Sequence, residues 1–170
     1  MGIRSWRWLA PVLVVALGAG VGLAFVTGAW LRPPPLPVDR TPVPLAGHQP
    51  CRDADVYFRT DEQMRHAAAA LHDDPEARLV FVETKHESFL SLRDGFKDHP
   101  EMLKGLGGEE SSPAVVTVVP MPTTDLVAYV ASLKTRFPEA QDVYSIDVNA
   151  YNDKFGKPRD APTCPRAGEY

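Results

Sequence analysis

The chain has 170 residues, 44% of them hydrophobic and 24% charged, with 18 Lys and Arg against 22 Asp and Glu. Arg4, Arg7 and Arg32 sit at the N-terminal end, so residues 33–170 keep 15 basic residues (18 less three) beside all 22 acidic ones. That balance argues against nucleic acid as a partner and gives the bulk of the chain no attraction to an anionic lipid surface.

Taken in chain order, the first feature is the uncharged run from Trp8 to Leu31. As a helix rising about 1.5 Å per residue it would cover roughly 36 Å, enough to cross a hydrocarbon core of about 30 Å. Residues 8–31 are therefore predicted as a transmembrane helix. Arg4, Arg7 and the terminal amine hold the stub of residues 1–7 in the cytoplasm, and Trp6, Trp8 and Trp30 suit the two interfaces. A cleaved secretory signal is the other reading, since Gly22-Leu23-Ala24 and Thr27-Gly28-Ala29 offer small residues to a peptidase. Either way the remainder of the chain is exported, and the location expected is the cell membrane, single-pass, with the C-terminal domain extracytoplasmic.

Seven prolines fall between Pro33 and Pro50, which predicts residues 32–50 to be an extended, polyproline-like spacer without a core. The only cysteines, Cys51 and Cys164, are 113 residues apart and would pair in an oxidising compartment. Closing that loop is worth about 4 to 5 kcal/mol in the chain-entropy model. There is no Cys-x-x-Cys redox spacing.

The globular domain is expected from residue 51 to 148. Asp55 to Arg59 alternates as a strand, and Thr60-Asp61-Glu62-Gln63 reads as a capping box opening a helix with Met64, Ala67, Ala68 and Leu71 on its buried stripe. Asp74-Pro75 stops it. Ala77 to Glu83 is a strand, Thr84 to Glu87 a second capping box, and Phe89, Leu92 and Phe96 recur at helical spacing as far as Lys97. A short helix is expected from Pro100 to Leu106, ended by Gly105, Gly107 and Gly108. Pro113 opens the strand Ala114 to Val119. Thr123 or Thr124 can then cap a helix carrying Leu126, Val130, Leu133 and Phe137. Asp142 to Val148 is the last strand, and residues 149–170 read as an irregular tail.

Strand, helix, strand, an inserted helical pair, strand, helix, strand predicts an α+β fold: a split βαβ (ferredoxin-like) sheet with an inserted helical lobe. Its last strand would lie antiparallel beside the first, bringing the Cys164 tail within reach of Cys51.

From Cys51 to about Ser145 the residues resemble the extracellular domain of the permease-like cell-division protein FtsX. The resemblance is carried by the Asp74-Pro75 stop, the strand closing on Glu83, the Phe89 to Phe96 helix, the Pro100-Glu101-Met102-Leu103 turn and the start of a strand at Pro113-Ala114. Val115 stands where the family usually has Ser, and the family's three further membrane spans are missing after this domain. In the family, a cytoplasmic ATPase works through those spans so that the external domain engages peptidoglycan hydrolases or their adaptors. The resemblance implies that this chain shares the external binding surface without the permease stroke.

Phe89, Leu90, Leu92, Phe96, Met102, Leu103 and Leu106 are more apolar surface than two short helices can hide from each other. These seven are the expected partner-binding residues, suited to a helix-in-groove partner such as a hydrolase coiled coil, as the resemblance implies. The residues contain no Gly-x-Ser-x-Gly, phosphate loop or dinucleotide fingerprint, so no catalytic role and no cofactor is expected. Histidines 48, 66, 72, 86 and 99 form no metal-binding pair by spacing, although His86-Glu87 and Asp98-His99 could meet between the inserted helices. Asp73-Asp74 and Glu109-Glu110 read as solvated turns. The expectation is a membrane-anchored interaction module of the cell envelope; the alternative is a small exported enzyme or a metal- or ligand-binding sensor.

Overall fold

The computed structural model describes residues 34–105, 107–156 and 164–169. The apolar run 8–31 and its flanks lie outside those residues, and among the described residues no helix is long and apolar enough to cross a membrane. One compact unit begins at Pro37.

The fold is α+β, built on a mixed five-stranded sheet. Its strands are β1 (Asp39–Pro44), β2 (Arg52–Phe58), β3 (Ala77–Glu83), β4 (Ala114–Pro120) and β5 (Asp142–Asp147). The helices are α1 (Asp61–Leu71), α2 (Lys85–Gly95), α3 (Pro100–Leu103), α4 (Leu126–Arg136) and α5 (Val148–Phe155). The strand order is β1-β3-β4-β2-β5. Because β4 is antiparallel to both β2 and β3, those two run parallel with β4 between them, and β5 lies antiparallel beside β2.

Alternation along β2 decides the core. Ala54, Val56 and Phe58 join Val116 and Val118 of β4 against Met64, Ala67, Ala68 and Leu71 of α1 and Leu126, Tyr129 and Leu133 of α4. Thr60 caps α1 by accepting from the Gln63 amide at 3.2 Å, but the Gln63 side-chain oxygen does not complete the box. Thr84 and Glu87 form the full reciprocal box at α2. Asp125, rather than Thr123 or Thr124, caps α4, its carboxylate accepting from Val127 and Ala128.

Part of the expected spacer is folded. Residues 39–44 add β1 to the sheet parallel to β3, with Asp39 opposite Leu79 and Val43 opposite Phe81. An outer strand tolerates Pro42 and Pro44, whose missing donors would break a central one. The expected irregular tail begins instead with α5, capped by Asp147, whose carboxylate accepts from the Ala150 amide at 3.0 Å; β5 accordingly stops at Asp147 rather than Val148. Only Asn152 of α5 is buried, so no inward apolar stripe announces the helix.

The described end of the chain folds back over the second face of the sheet. Cys164 is bonded to Cys51, with Cα atoms 5.6 Å apart. The Gly168 carbonyl accepts from the Cys51 and Arg52 amides at 2.9 and 3.3 Å. Gly168 has φ +77°, and a Cβ there would fall 2.9 Å from Val119 Cγ1, so the position demands glycine twice over. A bulge between Ala77 and Leu79 turns Arg78 into this same layer. Arg78 is 1% exposed and donates to the carbonyls of Pro37 and Ala167 and to the Glu169 carboxylate, tying the incoming and outgoing segments to β3.

Asp74, expected in a solvated turn, is buried. Its carboxylate accepts from the Arg136 guanidinium, from the Tyr129 hydroxyl at 3.0 Å and from the Glu76 amide at 2.9 Å. Burial alone would raise its pKa; those three donors outweigh burial and hold it below the usual carboxylate range. Asp74→Ala strands the buried Tyr129 hydroxyl and should cost about 2 kcal/mol by urea denaturation, with part of the ion-pair contribution discounted because Arg136 is half exposed. Asp73→Ala, at an exposed neighbour, should change stability by less than about 0.5 kcal/mol.

Candidate docking surface

The first turn of α2 is held by polar contacts to the start of α1 and to the segment at residues 109–110. The Lys85 amide donates to Asp61 at 2.9 Å, Lys85 Nζ donates to the Glu110 carbonyl at 2.7 Å, and His86 meets Glu109 at 2.8 Å. Of the eleven residues of α2, only Ser88 is buried. The apolar side chains are therefore left facing outward or half covered. Leu90, Leu92 and Met102 are exposed by 41%, 37% and 50%, while Phe89, Phe96 and Leu103 are half-buried. Leu106 lies outside the described residues. Arg93 lies 5.8 Å over the Phe89 ring.

The six expected residues that are described do not form one stripe. Leu92 and Phe96 turn toward the sheet and wall a groove of about 470 Å³. Its floor is Asp55 and Tyr57 of β2 with Val115 and Thr117 of β4; Leu45, Glu83, Ser88 and Ser91 complete the sides. Phe89, Leu90, Met102 and Leu103 are not part of it.

Sequence reasoning missed the floor. Residues 53, 55 and 57 alternate with the core residues of β2, a pattern that reads as a plain solvent face. Here that face is roofed, by α2 at one end and by the returning tail at the other. Asp55 accepts from the Thr117 hydroxyl at 2.5 Å and from the Tyr57 hydroxyl at 3.3 Å. Burial raises its pKa, against the pull of those two donors. Burial, with the Asp55 charge and hydrogen bond adding to it, also pushes the Tyr57 phenol up. Asp53 is 2% exposed, and one of its carboxylate oxygens has no hydrogen-bond partner among the described residues. Burial, and then the neighbouring Asp55 charge, raises its pKa to about 7.

A second apolar surface lies at the other edge of the sheet. Tyr144 and Ile146 of β5 and Tyr151 and Phe155 of α5 are all exposed, and Ile146, Tyr151, Lys154 and Phe155 line a cavity of about 460 Å³. Val148, Tyr151 and Phe155, at i, i+3 and i+7 after the capping Asp147, carry the sequence signal for it.

The two acidic-histidine pairs do not converge: His86 pairs with Glu109, and His99 with Glu101 at 3.4 Å. Among the described residues no group of three His, Cys, Asp or Glu side chains could hold a metal ion. No protein-family model matches the chain, and no curated protein matches it.

Asp53 makes stability depend on pH. Its folded pKa lies above the ordinary value of 3.8, so the folded state favours the protonated acid; this advantage is complete below about pH 4 and is lost as pH rises through about 7. Raising the pH from 5 to 8 should therefore lower the unfolding free energy. Asp53→Asn should flatten that slope and be the more stable protein at pH 8 by about 1 kcal/mol or more. Equilibrium unfolding at both pH values tests this, and an unchanged slope would refute it.

Proposed function

We propose that this chain is a membrane-anchored extracytoplasmic interaction module resembling the external domain of FtsX. In this reading a split βαβ (ferredoxin-like) core carries the α2–α3 lobe, and the lobe engages a cell-wall hydrolase or its adaptor during division or envelope remodelling. The N-terminal helix anchors the chain in the membrane in this reading, and the partner is another extracytoplasmic protein.

One observation carries the reading. A lobe of two short helices buries a single residue of α2 while leaving Leu90 and Met102 to water, an arrangement that costs solubility unless another protein covers it. Medium-sized aliphatic and Met side chains beside aromatic rings are the surface on which amphipathic helices dock. The Cys51–Cys164 bond supports an oxidising compartment.

The experiment is affinity capture from envelope extracts with the full-length chain as bait. Leu90→Ser with Met102→Ser, at exposed positions that leave the fold intact, should reduce capture of a wall hydrolase or adaptor at least about tenfold, equivalent to about 1.4 kcal/mol. Capture unaffected by both changes would reject the lobe as the docking surface.

A further inference from the structure

The groove beneath α2 holds two carboxylates without a cation. Asp55 is hydrogen-bonded only to the hydroxyls of Thr117 and Tyr57, and Glu83 accepts from the Ser91 hydroxyl at 2.6 Å. Neither has an ion-pair partner among the described residues. Three carboxylates of the lobe do have such a partner, Asp94 in Lys97, Glu109 in His86 and Glu101 in His99, whereas Glu87 is taken up by its capping box with Thr84. Nearby cations are engaged elsewhere, since Lys85 Nζ donates to the Glu110 carbonyl and Arg93 lies over the Phe89 ring.

The register keeps the two acids apart. Asp55 is opposite Thr117 and Glu83 opposite Val115, on strands either side of β4. Two strand spacings of about 4.8 Å, with a two-residue offset of about 6.7 Å along β4, put roughly 12 Å between their backbones. This is no compact chelating pair, but it makes the potential negative along the groove, and the apolar lining of Leu92, Phe96 and Val115 concentrates that field. The complement is an alkyl chain ending in a fixed positive charge, which is the shape of a Lys or Arg side chain.

We propose that the groove between α2 and the sheet receives a basic side chain, presented on an apolar protein segment that docks on the lobe, with Asp55 and Glu83 as its counter-charges. This rests on the docking role of the lobe and adds to it the chemistry of the partner. The apolar surface supplies attachment, and the groove selects which segment attaches in register.

The test uses the full-length chain in phosphatidylcholine nanodiscs and a synthetic amphipathic peptide of about twelve residues, the length of a short docking helix. The peptide carries Leu on one face, neutral polar residues elsewhere, and one variable residue at the centre of the apolar face. Lys at that position should bind at least about tenfold tighter than norleucine, with empty discs subtracted. Asp55→Asn with Glu83→Gln should abolish the preference while leaving the norleucine affinity unchanged, the retained norleucine binding showing that the variant is folded. Asp73→Asn, at an exposed carboxylate outside the groove, should leave the preference intact.

Equal affinity for the Lys and norleucine peptides would overturn the groove assignment while leaving the lobe as a docking surface. An equal loss of preference in the Asp73→Asn protein would also overturn it, because general charge would then explain the selectivity. Binding of neither peptide overturns it as well, and capture by the lobe is judged separately through Leu90 and Met102.

Discussion

Six residues at the described end of the chain, Cys164 to Glu169, close the sheet from behind, and much of the domain's chemistry depends on that closure. The Cys51–Cys164 bond fixes the segment just before β2, and the Gly168 carbonyl takes two amide donors, from Cys51 and from Arg52 at the start of that strand. Arg78 then joins it to β3 and to the chain arriving at Pro37. A single buried guanidinium with three acceptors holds both ends of the fold, and its Nε is left without a partner. Such a group stabilises only while all its acceptors stay in place. With the segment lifted away, Val119 and the ends of β2 and β3 would face water. The tail is thus bonded to the sheet at β2 and at β3.

The strongly periodic parts of the fold were legible in the amino-acid order. Met64, Ala67, Ala68 and Leu71 form the buried stripe of α1 as their spacing predicts, and every residue of β4 is buried. The capping box at Thr84 and the antiparallel placement of β5 beside β2 were equally accessible. Three features were not. β1 is an exposed outer strand with two prolines, so neither alternation nor composition marked it. Helix α5 buries one asparagine and has no inward stripe. Asp74 sits in a sequence that reads as a turn, and its burial depends on Tyr129 and Arg136, more than fifty residues downstream. Periodicity is local, and these contacts are not.

The surface was half legible for the same reason. Which residues of the lobe are apolar is plain from the order of amino acids, and their surplus over what two helices can bury was predictable. Which of them point at the sheet was not. Leu92 and Phe96 belong to the groove, whereas Leu90 and Met102 face water. The alternation of β2 says that Asp53, Asp55 and Tyr57 share a face, but says nothing about whether that face is covered. It is, and the cover turns ordinary surface acids into groups with raised pKa values.

The two margins of the sheet are chemically unequal. On one side β1 presents Pro42 and Pro44, which lack the N–H groups another strand would need. On the other, β5 is paired with β2 alone among the described residues and carries the exposed Tyr144 and Ile146. Strand addition therefore has one direction open to it. An incoming strand would find its backbone partners on β5, beside these exposed side chains. Where two imino acids fall in the chain thus decides which margin of the sheet can accept a further strand.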